Sequence, residues 1–239
     1  GGTATFTTAA NQSLTGFDIT TGRVTVTQDG GINVTALLGQ AKGDNTVSVP
    51  YTVSGNNISV NGDLYVSATG SVQAIGALTV SGATTVTASS GEMKYDIELN
   101  SNNSFSGPVT LTGNNVTLNT SGLFYLGDIT APGSFSVSAG ATIIAEGAVN
   151  VGTFDLKGGD WRQERVLPAF SVTDFRISGG TFLRALSGDG TSSENAYKIT
   201  DVYGLQGMGS AGMLDKYYTL ANNIDASGTS GWNGGAGFA

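Results

Sequence analysis

Residues 58–80 read ISVNGDLYVSATGSVQAIGALTV, and the order of apolar, polar and turn-forming residues in this stretch decides the fold. Ile58-Ser59-Val60, Leu64-Tyr65-Val66 and Leu78-Thr79-Val80 each put two apolar side chains on one face of an extended chain and the middle residue on the other. Asn61-Gly62-Asp63 and Ser67-Ala68-Thr69-Gly70 stand between them, rich in residues that turn a chain within very few positions. Strands starting at Ile58, Leu64, Val72 and Leu78 follow at steps of 6, 8 and 6 residues. Three such steps make one coil of ~20 residues, the period of a solenoid with three short sheets.

The same triplet runs outward in both directions. Before it stand Val24-Thr25-Val26, Ile32-Asn33-Val34 and Val47-Ser48-Val49, and after it Ile97-Glu98-Leu99, Val109-Thr110-Leu111 and Val116-Thr117-Leu118. Phe135-Ser136-Val137, Val149-Asn150-Val151 and Phe154-Asp155-Leu156 continue it. β-branched residues suit a half-buried pleated surface. A β-sandwich also uses many strands, but it needs longer ones and some longer crossovers than these short triplets with small spacers allow. The expected fold is all-β, a right-handed parallel β-helix with loop excursions.

Composition bounds the function. Hydrophobic residues make up 39 % of the 239, enough for a core, while charged residues are only 12 %. The wet surface is therefore carried by Ser, Thr and Asn. Glycine occurs 37 times without a Gly-X-Y period, which excludes collagen. There is no cysteine for a disulfide or thiolate metal site, and no histidine, the usual base near neutral pH. A net charge of −8 has the wrong sign for a phosphate backbone, so nucleic acid is not an expected partner. No apolar run approaches the ~20 residues of a membrane span, and no secretion leader is recognisable. The abrupt start at Gly1-Gly2-Thr3 and the glycine-rich Gly234-Gly235-Ala236-Gly237 read as the ends of a piece of a longer polypeptide.

Regularity breaks twice. Gly158-Gly159-Asp160-Trp161-Arg162-Gln163-Glu164-Arg165-Val166-Leu167-Pro168-Ala169-Phe170 concentrates charge and reads as a loop leaving the rod, after which strands resume at Phe170 and Phe175. Leu186 to Glu194 reads as a flexible turn or module boundary. The expected organisation is a repeat region over 1–157, an interruption with resumed coils over 158–195, and a distinct module over 196–239.

That last module carries a resemblance. Tyr197-Lys198-Ile199, then Leu205-Gln206, then Leu220-Ala221-Asn222-Asn223-Ile224-Asp225 resembles modules of filamentous-haemagglutinin-like large exoproteins of bacteria, biofilm adhesins among them. In that family a Tyr-x-Ile strand precedes Leu-Gln, and a later Leu-x-x-Asp-Ile-Asp turn begins another β-helical stretch. Asn223 stands where an aspartate is frequent, which weakens any calcium site there. The resemblance implies a secreted protein of a Gram-negative cell surface, exported through an outer-membrane transporter partner and adhering to host cells, other bacteria or exopolysaccharide. It implies neither a cofactor nor an enzyme activity.

Four sets of residues are candidates for function. Thr5-Phe6-Thr7, Thr25-Val26-Thr27, Thr85-Val86-Thr87 and Thr110-Leu111-Thr112 invite comparison with an ice- or sugar-binding array, but they do not recur at one coil spacing, and wet-face threonines explain them. Asn11, Asn33, Asn57, Asn102, Asn115 and Asn119 open Asn-x-Ser/Thr matches, which this composition makes common by chance. Trp161 offers a platform for a sugar ring, with Arg162, Gln163, Glu164 and Arg165 as directional partners; the simpler reading packs Trp161, Leu167 and Phe170 against the rod and pairs an arginine with Asp160 or Glu164. Asp155, Asp160, Glu164 and Asp174 are the densest carboxylates, yet the paired spacing of a glycoside hydrolase or the calcium site of a polysaccharide lyase is not evident. The expected function is adhesion or display, with such an enzyme on the same scaffold as the alternative.

Overall fold

The computed structural model of the chain describes residues 63–68 and 70–238, together with the backbone of six strands among the residues before them. Those six are β1 (Thr3–Thr8), β2 (Ser13–Leu14), β3 (Arg23–Gln28), β4 (Ile32–Val34), β5 (Thr46–Val47) and β6 (Tyr51–Val60). Asn11, Gln12, Ser48, Val49, Asn61, Gly62 and Thr69 lie outside the described residues. Next come β7 (Leu64–Ala68), β8 (Val72–Val80), β9 (Thr84–Ser90), β10 (Met93–Lys94), β11 (Ile97–Phe105), β12 (Val109–Thr112) and β13 (Asn115–Thr120). The long strands β14 (Phe124–Ala145) and β15 (Val149–Glu164) bend round corners, and β16 (Phe170–Ile177) and β17 (Thr181–Ala185) complete the rod.

Among these strands every pairing is parallel except the short antiparallel contact of β9 with β10. Ile58 pairs with Leu78 and Leu64 with Thr84, one coil apart, as the triplet steps predict. The fold is a parallel β-helix.

Three columns of inward side chains make the core. One runs Ile97, Val116, Phe135, Phe154, Phe175, each in register with the next. A second runs Val86, Leu111, Ile129, Val149, Phe170, and a third Ile143, Trp161, Phe182. All are buried. Towards the C-terminal end the columns turn from aliphatic to aromatic. Phe154 and Phe175 stack with centroids 5.3 Å apart, and Trp161 and Phe182 with centroids 5.8 Å apart. Such rings bury more apolar area than the Val and Leu they replace and add edge-to-face contacts.

Side chains fasten coil to coil where the backbone leaves the ladder. Asn103 is buried at an irregularity of β11; its Oδ1 accepts from the Leu78 N–H, and its Nδ2 donates to the Leu99 and Asn119 carbonyls. Asp63 accepts from the Ala83 N–H and Asp128 from the Ala148 N–H, each spanning 20 residues. At the corners, coils approach so closely that a β-carbon on Gly147 would lie 2.1 Å from the carbonyl carbon of Gly127.

The C-terminal segment closes the rod. It contains β18 (Tyr197–Ile199), the short helix α1 (Val202–Gly207), β19 (Tyr218–Leu220) and a final turn, α2 (Trp232–Gly235). β18 and β19 pair in parallel, with Tyr197 opposite Tyr218 and Ile199 opposite Leu220. Tyr197, Ile199 and Met213 form a small second core with Leu183 and Ala185, so the outer face of β17 is covered. Asp201 caps α1 by accepting from the Gly204 N–H, and Trp232 stacks on Tyr203 and packs against Phe175.

Two expectations need correction. Residues 158–164 are not a loop: β15 runs through Glu164, and only 165–169 turn between strands. The charges at Asp160, Arg162 and Glu164 occupy alternate, outward positions of a strand whose inward positions hold Trp161 and Gln163. Nor are the threonine pairs out of step. Thr85 and Thr87 lie opposite Thr110 and Thr112, and Thr5 and Thr7 opposite Thr25 and Thr27, because coil length varies along the chain.

Candidate binding concavity

Alternation at the end of β14 and into the residue after it directs Thr142, Ile144 and Glu146 outward from one coil, and at the end of β15 it directs Asp160, Arg162 and Glu164 outward from the next. Register sets Ile144 directly opposite Arg162. On the following coil Leu183 lies opposite Arg162, but there the C-terminal segment covers the sheet. Where that cover ends, a concavity of about 520 Å³ remains, within the size range of ligand sites. Thr142, Ile144 and Glu146 form one wall. Arg162, Glu164, Arg165 and Val166 form the other.

The two arginines differ. Arg162 donates from Nε to Asp160 at 2.7 Å and from Nη1 to Glu164 at 3.4 Å. Partial burial works against its charged form, but hydrogen bonding and attraction from Asp160 and Glu164 outweigh this, so its pKa lies above the ordinary arginine value. Arg165 begins the turn, exposed, with φ 71° in the left-handed region. Its side chain has no ion pair or hydrogen bond with the described residues, and the same holds for Glu146. Val166 is 80 % exposed beside it.

Of the five residues singled out in the sequence, the structure brings three to this concavity, Arg162, Glu164 and Arg165. Trp161 is a correction: it is 0 % exposed, stacked on Phe182 and edge-on to Phe154, and presents no platform to a sugar. Gln163 also faces inward, 1 % exposed, and accepts from Arg184 Nη1 at 2.8 Å. Both residues sit at odd positions of a strand whose even positions are wet, and that parity decides their fate. Thr142, Ile144, Glu146 and Val166 went unnoticed as site residues in the sequence. For the first three the signal was present in their place one coil of ~18–20 residues before the charged stretch, and Val166 directly follows Arg165 within it.

The remaining candidates form no comparable site. Asp155 receives Ser178 Oγ at 2.6 Å and pairs with Lys157 at 2.6 Å. Asp174 pairs with Arg176, and hydrogen bonding from that guanidinium holds the carboxyl below the usual aspartate range, against the opposing effect of burial. The Thr87–Thr112 rung extends to Thr130, but a register shift between β12 and β14 interrupts the Thr85–Thr110 column. Asn115 and Asn119 spend their side-chain amides on Asp96 and the Asn100 carbonyl. Asp225 closes on its own Ser227 N–H at 2.9 Å. Among the described residues no group of three or more acidic side chains is placed to hold a metal.

Fold and surface together define a parallel β-solenoid with a covered C-terminal end and a concavity spanning two coils, lined by apolar as well as charged side chains. A family model described as repeats of unknown function (DUF5649) matches this chain twice, over residues 43–112 and 113–160. Both matches fall on the coiled region, and the second ends two residues before Arg162, so one wall of the concavity lies inside the matched repeats and the other outside. No curated protein and no solved structure matches the chain.

Proposed function

We propose that this chain is a rigid segment of a secreted bacterial adhesin, a β-helical stalk or display module that binds polysaccharide, matrix or another cell at the surface of a Gram-negative bacterium. The observation that carries the reading is the concavity itself, where outward side chains of two stacked coils face solvent with a cation and an anion uncommitted. A solenoid fixes the separation of such sites along its length, and weak contacts repeated on neighbouring modules add through effective concentration. The resemblance of residues 196–239 to exported adhesins supports the localisation and an outer-membrane transporter as export partner.

Polysaccharide cleavage on the same scaffold is the alternative. The densest acidic group favours binding over cleavage: Asp155, Asp160, Glu164 and Asp174 each sit beside a cation two residues away on their own strand. A general acid needs a carboxyl whose proton is held near neutral pH, and a neighbouring cation works against that. The deciding experiment immobilises the folded chain and measures retention of bacterial cells and of extracted matrix polysaccharide, with reducing ends assayed in parallel. Retention without new reducing ends is expected. No retention of either, or release of new chain ends, would overturn the reading.

A further inference from the structure

We infer that the concavity between the last coils binds a neutral hexose polysaccharide, with Arg165 as its main hydrogen-bond donor, Glu146 as its acceptor and Val166 as the apolar surface under a sugar ring. This rests on the adhesive reading above and names the ligand class of that same site.

Charge bookkeeping across the concavity selects the class. Arg162 is held by Asp160 and Glu164, which leaves Arg165 and Glu146 as the free groups of opposite sign. A polyanion would meet Glu146, Glu164 and a chain of net charge −8; a polycation is drawn by that net charge but would meet Arg162 and Arg165 on the wall it has to touch. A neutral sugar meets neither penalty. Its hydroxyls donate to a carboxylate and accept from a guanidinium, and its ring carries an apolar face. Those three needs correspond to Glu146, Arg165 and the exposed Val166 with Ile144 beside it.

Arg165 itself supplies the second observation. At φ 71° a residue with a β-carbon is strained, whereas glycine would take the same turn freely. The guanidinium makes no hydrogen bond or ion pair with the described residues that would offset the strain. Strain kept at a solvent-filled concavity points to a ligand as the beneficiary.

The test is retardation of the folded chain in gels containing a neutral glucan, a neutral mannan, alginate or chitosan, at low and at high salt. The neutral polymers should retard it equally at both salt concentrations, since no screened charge pair drives the contact. Arg165→Gly should weaken that binding roughly tenfold or more while melting no lower than the parent. Val166→Ser, a surface change that leaves the backbone alone, should weaken it too. Unchanged binding by both variants, or retardation by alginate or chitosan alone with loss at high salt, would overturn the proposal. If neither glucan nor mannan binds while the chain still retains cells or matrix, this inference fails and the adhesive reading stands; if nothing is retained at all, the adhesive reading fails with it.

Discussion

Arg184 donates from Nη1 to the side-chain oxygen of Gln163 across 2.8 Å, joining the last two coils inside the rod. The same guanidinium reaches Asp201 at 2.6 Å and the Pro168 carbonyl at 3.0 Å, and lies 5.4 Å from the ring centroid of Phe170. One side chain thus fastens the turn after β15, the strand β17 and the cap of α1. Replacing Arg184 by Met should cost about 3 kcal/mol, because the buried Gln163 oxygen and the half-buried Pro168 carbonyl lose a donor and Asp201 loses its cation. The urea midpoint should fall accordingly, and amide exchange over α1 should quicken. An unchanged midpoint would show that the joint contributes nothing.

Trp161 and Trp232 are both buried, at 0 % and 3 % exposure. The native protein should therefore emit tryptophan fluorescence at short wavelength and resist quenching by acrylamide until it unfolds. Trp161→Ala should destabilise the rod by about 3–5 kcal/mol, as other large-to-small core changes do. A readily quenched native spectrum would place an indole in solvent and contradict the core described here.

Glycines divide by what surrounds them. Gly147→Ala sets a β-carbon against the backbone of Gly127, and an overpacked corner should lose about 1–3 kcal/mol. Around Gly122 nothing lies within 4 Å, and Gly122→Ala should leave the melting temperature nearly unchanged. Paired thermal melts of the two variants give the comparison directly, and equal melts would mean that the corner relaxes freely.

Burial, with a smaller effect from Tyr197 beside it, pushes the Tyr218 hydroxyl up to about 12; it donates to the Met213 carbonyl at 2.6 Å. Its folded value lies above the unfolded ~10, so the folded state holds the proton more tightly. The stability this gives is whole below pH ~10 and is lost as pH rises towards the folded value. The urea midpoint should fall across that interval, and the fall should be smaller in Tyr218→Phe than in the parent. Equal falls in the two proteins would remove Tyr218 as a cause.

The coil was legible because alternation is a local property. Val116, Leu118, Phe135, Val137, Phe154 and Leu156 are outer members of triplets, and all are buried. The site was legible in part. Arg162, Glu164 and Arg165 drew notice as a run of charge, but the opposite wall at Thr142, Ile144 and Glu146 lies about one coil away, and coil length drifts from residue to residue. Ile97 precedes its partner Val116 by 19 positions, whereas Thr85 precedes Thr110 by 25. No single period then projects one wall onto the other. The packing of Trp161 and the pairing of Arg162 with Asp160 follow the simpler reading of the stretch, while its strand reads as a loop in the sequence because charge on one face of a strand resembles a loop when the two faces are read together.

The hydrogen bonds that join β13 to β14 and β14 to β15 run along the rod, while the chain itself runs across it. Tension on the two ends consequently strips coils in succession instead of shearing all of them at once. A coil of 19 residues, such as the one from Val116 to Phe135, occupies ~5 Å of rod and releases roughly 60–70 Å of extended chain when it opens. On the adhesive reading proposed above, a cell tethered through such a rod would gain length under a sudden pull, and the load on the tether would be spread over time.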